Sequence, residues 1–276
     1  MFAFELSQIL PLVALLLMIG AIAGVVAGLL GLGGGIVLVP AFYYMFAALG
    51  YDSENLMQIC VATSLATIIF TSIRSVLSHN KKGAVDWVIL KSWTPGIAIG
   101  AIVGVLIARE MRSVSLMVVF GILGALVGLY LAFGRQQWRL GDAMPMGIGR
   151  IITSPLLGFL SVLMGIGGGS FGVPLMTLYN QPIHRAIATS AGFGVVIAVP
   201  SVIGFLMIGW DMPVKPPLTI GLVNLPAFAI VVSMTLVTAP LGVKMAHAMD
   251  PKPLKTVFAF FIMLMALNML GKAIWG

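Results

Sequence analysis

The sequence predicts an all-α polytopic membrane protein made of two inverted repeats of about five helical elements each. Three observations carry that prediction. The 276 residues are 60% hydrophobic and only 8% charged, with a mean hydropathy of +1.13, whereas a soluble domain carries about a quarter charged residues. Apolar runs at 56–77, 88–108, 116–133 and around 257–270 approach or reach the ~20 residues a helix needs to cross a bilayer. A glycine-rich block, GLGGGIVLVP at 31–40, returns as GIGGGSFGVP at 165–174. No segments of alternating polarity suggest a β-barrel.

The repeat extends beyond the glycines. VATSLAT (61–67) matches IATSAGF (187–193), and AIVGVLIAREM (101–111) matches APLGVKMAHAM (239–249), which sets Phe120 over Phe258. Three matched blocks in one order divide the chain into halves 1–140 and 141–276, joined by the polar linker GRQQWRLGDAMPMG (134–147). The two halves together form one integrated transport domain.

In the first half the elements fall at 7–30, 35–49, 55–79, 86–109 and 113–133. The first is retained as a helix, because MFAFELSQIL has no Lys or Arg and carries Glu5, the wrong start for a cleaved signal peptide. The second spans only about 22 Å as helix, less than the ~30 Å hydrocarbon core, so it is a half-helix or a re-entrant segment. The third opens near Ser53, a favoured N-cap. The second half repeats the pattern at 148–165, 169–180, 183–209, 217–247 and 252–275, with 169–180 again short and Pro182 suited to a first turn.

Charge chooses between the two options. If the short elements cross, nine basic residues (Lys81, Lys82, Arg135, Arg139, Arg150, Arg185, Lys244, Lys252, Lys255) face inside. Four (Arg109, Arg112, Lys215, Lys272) face outside, as the positive-inside tendency requires. Ten spans with both termini outside follow, and an odd number per half inverts the second half. Inverted repeats are a transporter architecture, with a midplane site where broken helices meet. The excess basic charge is scattered singly and forms no nucleic-acid stripe. Cys60 is the one cysteine, so no intramolecular disulfide or cysteine metal cluster is expected.

A glycine-rich break frees backbone groups that hydrocarbon does not tolerate unpaired, so it belongs beside protein or a wet cavity. The helices resuming after Gly33, Gly34 and Gly35, and after Gly167, Gly168, Gly169 and Ser170, present N-terminal N–H groups that suit an anion. The rows Gly20/Gly24/Gly28 and Gly96/Gly100/Gly104 read as tight helix packing instead. Thr63 and Ser64 in one half, and Thr189 and Ser190 in the other, arrive near the midplane from opposite faces. Their hydroxyls either hold the anion or bond to their own helices.

No carboxylate falls at mid-membrane, where a proton relay or sodium site would want one. Glu5, Asp52, Glu54, Asp86, Glu110, Asp142, Asp211 and Asp250 all fall at loops or helix ends. Arg74 and Lys91 read as snorkelling side chains, and His184 and Arg185 as a pair at the inner mouth. All four are candidates for attracting an anion. The amides of Asn224 and Asn268 read as interhelical glue. The three histidines are expected far apart, at helix ends. No catalytic motif, metal set or cofactor motif emerges, so the chain is not expected to be an enzyme.

These motifs, with HNKKGAVDW at 79–87, resemble the sulfite exporter TauE/SafE family over nearly the whole length. Where that family often has a His or Lys ahead of the first TS, this chain reads NLMQICVATS. The resemblance implies a multi-pass transporter in the cytoplasmic (inner) membrane of a prokaryote. It implies cargo of sulfur-containing anions such as sulfite, thiosulfate or organosulfonates, and no cofactor. The expected partners are the lipid bilayer and that small anion, not nucleic acid; the oligomeric state is left open. A channel, or a non-transporting membrane scaffold, is the alternative reading.

Overall fold

A computed structural model describes residues 6–51, 53–134, 138–210, 214–248 and 251–275. Glu5, Asp52, Arg135, Asp211 and Asp250, and the side chains of Lys252, Lys255 and Phe258, lie outside the described residues. The helices are α1 Leu6–Leu30, α2 Gly35–Ala48, α3 Leu56–Asn80, α4 Trp87–Glu110, α5 Ser113–Phe133, α6 Gly147–Met164, α7 Gly169–Leu178, α8 Ile183–Met207, α9 Leu225–Ala248 and α10 Pro251–Trp275. Among the described residues seven of these are long and apolar enough to cross a membrane; α2, α7 and the 259–275 part of α10 are shorter apolar helices. The chain is a multi-pass membrane protein whose described residues are almost wholly helical.

Local sequence explains the breaks. α1 and α6 both stop where a glycine takes a left-handed conformation, Gly31 at φ 67 and Gly165 at φ 63, the usual glycine terminator of a helix. After α6 the Gly165 N–H donates to Val162 O at 2.9 Å and the Ile166 N–H to Ser161 O at 3.0 Å. α2 and α7 then restart at Gly35 and Gly169. α4 is capped by Asp86, whose carboxylate accepts from the Val88 and Ile89 N–H groups.

One predicted element is corrected. The segment 217–247 is not helical throughout: Thr219–Ile220 and Val223–Asn224 pair as a small antiparallel hairpin, and α9 starts only at Leu225. Pro216 and Pro217 deny the backbone N–H groups a helix needs, and Gly221 turns at φ 55. Two ends also shorten. α7 stops at Leu178, followed by left-handed Asn180, and α8 stops at Met207.

The helices pack in a reciprocal pattern. α1 lies on α9 and α6 lies on α4; α3 lies against α8, and α5 against α10. The glycine rows serve these crossings. A methyl on Gly24 or Gly28 would collide with Thr238 or the Ala239 carbonyl of α9. One on Gly96 or Gly100 would collide with Ser154 or the Pro155 carbonyl of α6. Close backbone approach of this kind is how helices associate in lipid, where apolar burial gives no drive. α3 is the most enclosed helix, buried on nearly every side. Trp93 of α4 stacks on Phe193 of α8 with ring centroids 6.3 Å apart, and both are buried.

Candidate functional site: two interrupted helices meeting in the core

The two glycine breaks touch. The Gly167 N–H donates to Leu32 O at 3.1 Å, across the halves. A methyl on Gly35 would strike the Gly165 carbonyl, and one on Gly169 would strike the Gly31 carbonyl. The contact is backbone against backbone, so in this conformation nothing separates Gly33 from Gly167. The N–H groups of Gly169, Ser170 and Phe171 find no acceptor among the described residues, and neither do those of Gly35 and Ile36. These are the orphan donors of a helix start.

Thr63, Ser64, Thr189 and Ser190 are fully buried, with Ser64 eight and Ser190 seven residues past the first residues of α3 and α8. Their hydroxyls are largely engaged inside the protein. Thr63 Oγ1 accepts from the Asn224 N–H at 3.0 Å, and Thr189 Oγ1 accepts from the Asp86 N–H at 2.9 Å. Each threonine thus steadies the start of a helix in the opposite half, α9 or α4. Ser64 Oγ donates to the Gly165 carbonyl at 2.8 Å, satisfying the broken end of α6. Ser190 Oγ meets only the Met176 sulfur, at 3.8 Å.

The hydroxyls without partners lie elsewhere. Ser170, on the first turn of α7, is 1% exposed and makes no hydrogen bond. Ser72 and Ser75 of α3 and Ser161 of α6 are buried and unpartnered as well. Ser72 packs against Gly194 of α8, a position also bordered by the Gly168 amide nitrogen. A buried hydroxyl left unpaired costs about 1–3 kcal/mol, so groups of this kind call for an explanation. Sequence reasoning named Ser170 but missed Ser72, Ser75 and Ser161. For Ser75 the missed signal is the row Thr63, Thr67, Thr71, Ser75, His79, spaced every four residues along α3; Ser72 and Ser161 lie off that row.

The remaining candidates divide. Arg74 and Lys91 are exposed on the outer faces of α3 and α4 and are not brought to the breaks. Arg185 pairs with Asp86 at 3.6 Å where α8 meets the start of α4. His184 begins α8, and here the expectation of scattered histidines is overturned: His79, His184 and His247 come together. Helices α3 and α9 end, and α8 begins, at one end of the bundle, which closes the sequence distance. Asn224 acts as a cap, its Oδ1 accepting from the Ala227 N–H at 3.0 Å. Asn268 is exposed and makes no interhelical bond among the described residues.

The threonine caps give a direct test. Thr63→Val and Thr189→Val keep the shape but strand one N–H each, buried at Asn224 and part-buried at Asp86. Thr63→Val should destabilise by about 1–3 kcal/mol and Thr189→Val by less, read as a larger and a smaller fall in thermal midpoint. A pair of variants that melt like the parent would contradict the capping role.

Helices that break in pairs inside a membrane bundle, with N–H groups left open at the breaks, define a membrane transport protein. Comparison with known proteins narrows the class. The family model described as "Sulfite exporter TauE/SafE" matches residues 16–269, and the chain belongs to that family of membrane transporters. It is 31% identical, over 94% of its own length and 98% of the relative's, to a "Probable membrane transporter protein" of Haemophilus influenzae. A similarly named protein of Methanocaldococcus jannaschii is 28% identical over 97% of both chains. No solved structure matches.

Proposed function

We propose that the protein carries small sulfur-containing anions, of the sulfite, thiosulfate or organosulfonate kind, across a prokaryotic cytoplasmic membrane by alternating access. The observation that carries this reading is the open first turn of α7. There three unpaired N–H groups and the free Ser170 hydroxyl offer an anion donors without a side-chain cation. A helix start bears about half a positive charge, which favours such a guest. In this reading Gly167, Gly168, Gly169 and Ser170 form one wall, Gly33, Gly34 and Gly35 the facing wall, and Ser72 a further donor. Thr63, Ser64, Thr189 and Ser190 hold the frame.

The closed contact between the breaks supports a carrier over an open channel: the halves must separate there before a guest passes. Reciprocity supports two inverted repeats, 1–140 and 141–276, within one transport domain. Gly35 meets Gly165 as Gly169 meets Gly31, and Thr63 meets Asn224 as Thr189 meets Asp86. Both termini outside follows from the basic loops. An inside-negative potential of ~100 mV favours exit of one negative charge by about 2.3 kcal/mol, so export needs no further coupling.

A thermal-shift series with sulfite, thiosulfate, sulfate, sulfoacetate and chloride tests the reading. Ligand at about 100 times its Kd stabilises by ~2.7 kcal/mol, so a sulfur oxyanion should raise the midpoint while chloride leaves it unmoved. Equal response to every salt would refute the assignment. In reconstituted vesicles flux should follow the imposed potential, and uptake against both gradients would end the export reading.

A further inference from the structure

The chain has three histidines, and the fold collects all of them at one end of the bundle. His79 closes α3 and is 1% exposed. Its Nε2 lies 3.1 Å from the Gly28 carbonyl of α1, and its Nδ1 lies 3.2 Å from Nε2 of His247 on α9. The His184 ring of α8 stacks on His247, with centroids 5.5 Å apart and planes 19° from parallel. The His184 Nδ1 is buried and has no partner. One cluster therefore ties together α1, α3, α8 and α9.

The hydrogen bonds fix where the protons sit. A carbonyl can only accept, so Nε2 of His79 carries hydrogen and donates to Gly28. In a neutral ring Nδ1 is then a lone pair, and His247 donates to it through Nε2–H. Protonating both rings sets N–H against N–H at this spacing and adds like charges, which breaks the link. Because both nitrogens of His79 are engaged, the trio lacks the free imidazole set a metal ion would need.

The cluster stands at the end of the α3 face that carries the unpartnered hydroxyls. Ser72, Ser75 and His79 follow one another at three- and four-residue steps, so they share that face. Ser72 and Ser75 are each 1% exposed. Thr67 and Thr71, by contrast, bond back to the carbonyls of Thr63 and Thr67, and Thr71 also bonds to Thr235 of α9 at 2.9 Å. Buried hydroxyls with no protein acceptor are suited to water or solute passing along them. The histidines stand at the end of that line of hydroxyls, where α3 stops.

We propose that His79, His184 and His247 form a proton-operated gate over one end of a polar passage lined by Ser72 and Ser75. The gate is shut while the rings are neutral and opens when the His79–His247 pair gains a second proton. This rests on reading the protein as a carrier, but it concerns the mouth and not the identity of the anion. The charged groups around the trio are few. Lys82, after α3, acts electrostatically on His247. At the start of α8, Arg185 is neutralised by Asp86, which also caps α4. Lys244 precedes His247 by about one turn on α9. α1 offers only its Gly28 carbonyl. Asp250 lies outside the described residues.

Thiol labelling tests the gate without any transported substrate. In a Cys60→Ala background, Ser75→Cys reports the passage and Lys81→Cys, at an exposed position, reports bulk reactivity. The probe is a cationic, membrane-impermeant methanethiosulfonate, and the readout is the ratio of the two labelling rates, which cancels the pH dependence of the thiol itself. The ratio should rise about tenfold between pH ~8 and pH ~4, the lower value lying below the whole ordinary histidine range so that the pair can gain its second proton. His247→Ala should give the high ratio at both pH values. His247→Gln keeps an N–H donor for His79 but cannot gain a proton, so it should give the low ratio at both, and it decides the matter if the alanine variant does not fold. A ratio that ignores pH, or a His247→Gln protein that responds to pH as the parent does, would overturn the gate. Because no anion is involved, failure here leaves the ligand screen unaffected, and failure of the screen leaves this result unaffected.

Discussion

Gly169→Ala is expected to lower the thermal midpoint by roughly 6–12 °C and to abolish anion flux. The added methyl meets the Gly31 carbonyl and the Leu32 amide, both backbone, so nothing nearby can swing aside. Overpacking against rigid neighbours costs about 3 kcal/mol or more at the upper end of the usual range, and each kcal/mol moves the midpoint of a chain of this size by about 2–4 °C. Gly35→Ala drives the same methyl into the Gly165 carbonyl from the other side and should fail similarly. Gly271→Ala is the control, since no heavy atom lies within 4 Å of the added carbon. A Gly169→Ala protein that melts and transports like the parent would show that the two breaks do not need to touch.

Replacing Ser72 and Ser170 together by Ala is expected to weaken the best sulfur anion by about 100-fold or more, each hydroxyl contributing about 10- to 100-fold, while leaving the ligand-free midpoint unchanged or slightly raised. A hydrogen bond to a charged partner contributes about 1.5–3 kcal/mol, and every 1.4 kcal/mol is tenfold in affinity. Neither hydroxyl has a protein partner to lose, so the ligand-free protein gives up nothing. Ser64→Ala is the contrast: it strips the Gly165 carbonyl of a 2.8 Å bond and should destabilise even without ligand. If the double variant bound the anion unchanged, the α7 first turn would not be where the guest sits.

The helices were legible because membrane segments announce themselves by apolar length and stop at glycine. The expected starts at residues 35 and 169 coincide with those of α2 and α7. The hairpin at 219–224 was hidden inside an apolar stretch that hydropathy cannot tell from helix. Only the doubled proline at 216–217 and Gly221 marked it. The role of Thr63 and Thr189 could not be read from one chain, because a buried hydroxyl beside a glycine break suits a ligand and a cap equally. Their partners, Asn224 and Asp86, lie more than 100 residues away in sequence. The histidine trio is another such case. No local pattern joins residues 79, 184 and 247; they meet only because α3 and α9 end, and α8 begins, at one end of the bundle.

The interlocked breaks also constrain how the chain is made. While the first half is in the membrane alone, the Gly31 carbonyl faces no Gly169 and the Leu32 carbonyl has no Gly167 amide to receive. The start of α9 likewise needs Thr63, and the start of α4 needs Thr189. Neither half carries what its own interrupted helix requires, so during synthesis the ribosome releases a first half that is inserted but unfinished. Maturation of that half must await translation of residues 167–189.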